Sequence, residues 1–146
     1  MRDYRNINAW KEADDLTVEI YQKTRQFPKE EVYGMTSQIR RAAYSVPANI
    51  AEGSARGTHK DYLHFLHIAR ASLTEVQYFI HLAGRLGYLP ETEKVAVEAQ
   101  IKSVFVRLHG LIQSVSKEAG IFAKGMALLT SSVVIGLSRV AQRISA

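Results

Sequence analysis

The chain has 146 residues, 47% of them hydrophobic and 23% charged, which suits one globular domain with a single sizeable core. It contains no cysteine, so disulfides, thiol catalysis and Cys-ligated metal centres are excluded. A formal net charge of +5 and a pI near 9.6 permit contact with nucleic acid or another acidic surface, although no long Lys/Arg block appears.

The opening "MRDYRNINAW" carries charge with no apolar run behind it, which predicts no signal peptide and a cytoplasmic protein. The first predicted helix runs from about Asn8 to Gln26. Trp10, Ala13, Leu16, Ile20 and Tyr21 share its face, Asn8 is placed to cap its first turn, and Phe27–Pro28 break it. A second helix, about Glu31 to Glu52, puts Met35, Ile39, Ala42, Val46 and Ile50 on one side and is expected to stop at Gly53 and Gly57. In the third, Thr58 and Asp61 have capping-box spacing. Tyr62, Leu66, Ala69, Leu73, Val76, Ile80 and Ala83 then recur at alternating fours and threes, with Phe65, Ile68, Phe79 and Leu82 widening the seam. So wide a stripe belongs to a helix with two neighbours. After "RLGYLP" a fourth helix starts near Pro90 and carries Val97, Ile101, Val104, Phe105, Leu108, Leu111, Ile112 and Val115.

No window alternates as a strand does. The expected fold is all-α, an up-and-down antiparallel four-helix bundle over residues 1–119. Residues 120–146 are expected to form a C-terminal helical extension, read first as a fifth helix packed on the bundle or on another copy, with Phe122, Met126, Leu129, Val133, Val140 and Ile144 on its apolar stripe, and otherwise as a helix on a membrane surface or a loosely ordered extension. Its uncharged run is too short to span a bilayer.

The most informative stretch is "QIRRAAYSVPANIAEG", Gln38 to Gly53. At 100° per residue, Gln38, Arg41, Ser45, Asn49 and Glu52 fall in one arc beside the apolar face, while Arg40 and Tyr44 point toward the back. Polar groups at a core edge need partners. If the helix continues through Pro47, the Ala43 carbonyl loses its normal donor and invites a water or an inter-helix hydrogen bond. The stripe therefore reads first as a device holding helices or subunits in register, and second as a binding surface. Glu75, on the second seam of the third helix, is expected to pair with Arg41.

Enzymatic chemistry finds little footing. No glutamate is followed by histidine at the third position, as a di-iron bundle requires. His64 and His67, with His81 further along, read as surface histidines, and neither Ser45 nor Ser72 has a histidine placed by motif to activate it. "EGSARGTHK" could meet a phosphate at a helix start, but a helix stop and tight turn explain its glycines as well. No cofactor, no metal and no catalysis are expected.

The run Gln38 to Gly53, with "FPKEEVYGM" before it and "DYLHFLHIARASLTEVQ" after it, resembles the bacterial four-helix-bundle family encoded in intervening sequences of 23S ribosomal RNA genes. The likeness covers about Tyr4 to Ser116, with matching positions at Gln38, Arg41, Ser45, Pro47, Asn49, Glu52, Gly53 and Glu75; the tail after Gly120 extends past the usual end. The resemblance implies a homopentamer of up-and-down bundles. A distant relative, the accessory variability protein of diversity-generating retroelements, accompanies a reverse transcriptase and binds nucleic acid. RNA, DNA or a protein such as a reverse transcriptase are thus the implied partners. Two functions follow as expectations: a nucleic-acid-associated oligomeric adaptor, with Arg40, Arg56, Lys60, Arg70 and Arg85 as contact candidates, or a protein-interaction scaffold that docks through its tail.

Overall fold

A computed structural model describes the backbone of residues 2–144 and the side chains of residues 2–121. Four helices make up the fold, with no strand among the described residues: α1 (Asn8–Lys23), α2 (Met35–Ser54), α3 (His59–Arg85) and α4 (Glu91–Ile144). Short 3-10 turns at Tyr4–Asn6, Thr24–Gln26 and Lys29–Glu31 lead into and out of α1.

The helix ends follow local chemistry. Asp3, not Asn8, supplies the first side-chain cap, accepting from the Arg5 backbone N–H at 3.0 Å; Ile7 occupies the N-cap of α1 and Asn8 is its first residue. The second helix begins four residues later than its periodicity predicts. A 3-10 turn and Gly34 intervene, and the Glu31 carboxylate accepts from the Met35 N–H at 2.9 Å. Thr58 caps α3 as its spacing predicts, accepting from the Asp61 N–H at 3.1 Å. The C-terminus of α3 closes in a Schellman motif: Tyr88 N–H reaches the Ala83 carbonyl at 2.9 Å and Gly87 N–H the Gly84 carbonyl at 3.1 Å. Gly87 holds φ +72°, the left-handed region where a side chain would be strained.

The core is the periodic stripe of each helix. Ala13, Leu16 and Ile20 of α1, Ile39, Val46 and Ile50 of α2, Leu66, Leu73 and Ile80 of α3, and Val97, Ile101 and Leu108 of α4 are all buried. Each helix packs on the next in chain order, and α4 closes the ring on α1. Paired positions rise on one helix as they fall on its neighbour. Glu12 of α1 accepts from Ser103 Oγ at 2.6 Å and Arg107 Nε at 2.8 Å, whereas Gln26, beyond the end of α1, donates to Glu93 at 2.9 Å. The Ser103 hydroxyl, and Arg107 after it, hold the Glu12 carboxyl below its usual range against the opposing effect of burial.

Two further expectations change. Gly53 does not end α2; it lies inside the last turn, where an added Cβ would stand 2.8 Å from the Tyr62 ring and 2.9 Å from Phe65 Cβ. Its function is close approach of α2 to α3. The expected fifth helix is not separated by a turn, because α4 runs through Gly120 to Ile144. A lone glycine costs a helix only about 1 kcal/mol, and no proline follows Pro90 to stop it. The apolar stripe of the tail lies outside the residues whose side chains are described. Among the described residues no helix is long and apolar enough to cross a membrane.

Candidate functional site

The second helix runs unbroken through Pro47, which is buried. The Ala43 carbonyl, deprived of its i+4 donor, accepts instead from Thr17 Oγ1 of α1 at 3.0 Å. The same hydroxyl lies 2.8 Å from the Ala13 carbonyl of its own helix, so one proton serves two acceptors. Of the two partners the sequence leaves open there, a water or an inter-helix donor, the second is found; Thr17 is remote in the chain and carries no periodic signal that names it.

The polar stripe divides into three parts. Its centre is half-buried and joined to α3: Ser45 Oγ lies 3.0 Å from Ser72 Oγ, and Asn49 Nδ2 donates to the Ser45 carbonyl at 2.7 Å and to Ser45 Oγ at 3.0 Å. With Asn49 donating to it, the Ser45 hydroxyl is free to donate to Ser72. At one end Arg41 reaches Gln38 Oε1 at 3.3 Å and Glu75 Oε1 at 3.3 Å, so the expected ion pair forms. Its side chains are 58% and 38% exposed, which makes it a surface pair and not a buried lock. At the other end Glu52 is exposed and pairs with Arg56 on the following turn. Side chains placed in one arc by angle thus end in different surroundings, because α3 covers only the middle of the row.

The basic candidates also differ from one another. Arg56 is engaged by Glu52 and lies over the Phe65 ring at 4.5 Å. Arg40 donates through Nε to Thr24 Oγ1 at 2.8 Å and lies over the Tyr21 ring at 4.8 Å. Lys60, Arg70 and Arg85 are exposed, with no carboxylate partner among the described residues. They make no single patch: Lys60 and Arg85 sit at opposite ends of α3, about 38 Å apart along its axis. His64, His67 and His81 are exposed, and no group of three or more His, Asp and Glu side chains gathers as a metal site among the described residues.

A groove of about 360 Å³ lies where α1, the turn before α2, and the outer face of α2 meet. Tyr21, Val32, Tyr33, Thr36, Ser37, Arg40, Arg41 and Tyr44 line it. Periodicity puts Tyr21 among the core residues of α1, yet it is 39% exposed, and Tyr33 on the turn is 96% exposed. The groove escaped sequence reasoning because its residues come from three segments, and Tyr21 lies at the edge of a core stripe that α2 does not fully cover. Its one sequence-level trace is that Arg40 and Tyr44 point away from the core.

The 23S rRNA-intervening sequence protein family model matches residues 5–110. A solved structure of a protein with unknown function from the S23 ribosomal protein family, from Bacteroides thetaiotaomicron, superposes with a TM-score of 0.64 at 21% identity, covering 71% of this chain and 97% of that one. That likeness shows a shared fold. No curated protein matches the chain. With its match spanning most of the chain and including the whole α2 signature, the protein belongs to the 23S rRNA-intervening sequence protein family.

Proposed function

We propose that the protein is a non-enzymatic, oligomeric adaptor that associates with nucleic acid, of the ribosomal RNA intervening-sequence or retroelement type, and acts in the cytoplasm. The supporting observation is the surplus of cations on its surface. Most glutamates are engaged in ion pairs, Glu12, Glu19, Glu52, Glu75, Glu93 and Glu118 among them. Arg25, Lys60, Arg70, Arg85, Lys102 and Lys117, by contrast, have no carboxylate partner among the described residues. Cations spread over a helical surface suit backbone phosphates, which carry no sequence information. Assembly multiplies the effect: five copies, the number implied by the resemblance, each with formal charge +5, form an extensively basic particle.

This reading requires affinity for RNA and DNA that depends steeply on salt, with log K falling by about 0.9 per phosphate contact on duplex DNA. A salt-titrated binding assay on the full chain, with light scattering to fix the subunit number, tests it. Absent or salt-insensitive binding refutes the nucleic-acid role, and a monomer refutes the oligomer.

A further inference from the structure

We infer that the tyrosine–arginine groove between α1 and α2 is a docking site for unpaired nucleotides of a single-stranded nucleic acid. This deepens the nucleic-acid reading above and rests on it. The scattered cations contact phosphate; the groove takes bases.

Three observations carry the inference. The first is the lining. Three tyrosines and two arginines surround the groove, with a single aliphatic side chain, Val32, and no carboxylate. A surface meant for an aliphatic helix would present Leu, Ile and Val. Tyr33 and Tyr44, exposed at 96% and 48%, offer stacking faces to unpaired bases, while the Tyr21 ring carries the Arg40 guanidinium, which adds a phosphate contact. At about 360 Å³ the groove falls in the size range of a small-ligand site and has room for an unpaired base.

The second observation is the organisation of Arg40. The Thr24 hydroxyl is buried and donates to the Ile20 carbonyl at 2.8 Å, which leaves its lone pair to accept Arg40 Nε at 2.8 Å. With the Tyr21 ring beneath it, the guanidinium is held in one orientation, while its charge has no carboxylate partner among the described residues. A cation fixed by neutral groups keeps its full charge for an anion and has little conformational freedom left to lose on binding. Arg41, one residue along, shares its charge with Glu75 and contributes less.

The third is an unsatisfied hydroxyl. Thr36 lines the groove at 5% exposure, and its Oγ1, itself closed off from water, is one of two buried hydroxyls without a hydrogen-bond partner among the described residues, the other being that of Tyr62 in the core. Buried polar groups are rarely left so without a reason. Beside it Tyr33 stands 96% exposed on the turn before α2, an aromatic ring left in water at the rim of a basic groove.

The test uses the full-length protein and a fluorescein-labelled single-stranded RNA 12-mer, with a blunt RNA duplex of the same length as comparison. Tyr33→Ala is the main variant, since a side chain this exposed is dispensable for folding; Tyr33→Phe keeps the stacking face. We expect Tyr33→Ala to weaken single-strand binding roughly ten-fold, the loss of about one stacked base. Its duplex affinity and salt slope should stay at wild-type values, and Tyr33→Phe should bind as wild type does. Lys60→Ala, far from the groove, should weaken both ligands alike. If the wild-type protein binds RNA with a steep salt slope but Tyr33→Ala binds the single strand equally well, the groove assignment fails and the broader reading stands. If the wild-type protein binds neither ligand, both fail. If Tyr33→Ala alters the subunit number by light scattering while leaving RNA affinity unchanged, the groove is an interface between copies and the inference is overturned.

Discussion

Replacing Thr17 by Val removes a hydroxyl and keeps the shape of the side chain. The hydroxyl is the donor that reaches the Ala43 carbonyl at 3.0 Å, in the place where Pro47 has no N–H to offer. Ala43 is 1% exposed, so water has no ready access to its carbonyl. The loss combines one hydrogen bond, about 1 kcal/mol net, with an acceptor left unsatisfied in the interior; about 1–2 kcal/mol of destabilisation is expected. For a chain this long that lowers the Tm by roughly 5 °C. The diagnostic experiment is the double-mutant cycle with Pro47→Ala, which restores an N–H one helical turn after Ala43. In that background the Ala43 carbonyl has its own donor and Thr17 can bond Ala13 alone, so Thr17→Val should cost about 1 kcal/mol less. Urea denaturation followed by circular dichroism, at one protein concentration for all four proteins, gives the coupling. An equal cost of Thr17→Val in both backgrounds, or none in either, would refute the claim that α1 compensates the proline in α2.

Three further predictions concern the same framework. Gly53→Ala should destabilise by about 1–3 kcal/mol, read as the urea midpoint, because its Cβ would stand 2.8 Å from the Tyr62 ring and force α2 from α3; a midpoint at wild type would show that the contact yields freely. Glu75→Gln should change stability by no more than about 0.5 kcal/mol at neutral pH, since its pair with Arg41 is largely solvated, and a loss above about 2 kcal/mol would show a buried lock instead. The Glu12 carboxyl is held below its ordinary value of 4.5, first by Ser103 and then by Arg107, so its contribution is complete above that value and disappears as pH falls through the lowered one. Wild type should therefore lose more stability than Glu12→Gln between pH 6 and pH 3, and parallel pH profiles would remove the α1–α4 clip from the account.

Much of this architecture is legible in the order of residues. The stripe Tyr62, Leu66, Ala69, Leu73, Val76, Ile80 and Ala83 of α3 is buried throughout, as its spacing requires, because a helix between two neighbours has no other way to remove that face from water. Thr58 and Asp61 mark the start of α3, and the Gln38–Gly53 run that carries the resemblance lies within the residues the family model matches. These features are local: rotation per residue and hydrogen-bond reach within one turn suffice to place them. Other outcomes depend on what a neighbour covers. The same local geometry gives Gln38, Ser45 and Glu52 equal standing on one arc; α3 then half-buries the middle of that row and leaves its ends in water. Tyr21 carries the period of a core residue and is exposed, and Gly53 looks like a helix stop and acts as a point of contact. The donor for the carbonyl that Pro47 strips comes from Thr17, 26 residues before Ala43. A helix's period determines which side chains share a face, whereas the approach of the next helix determines how much of that face is dry, and only the packed bundle holds that information.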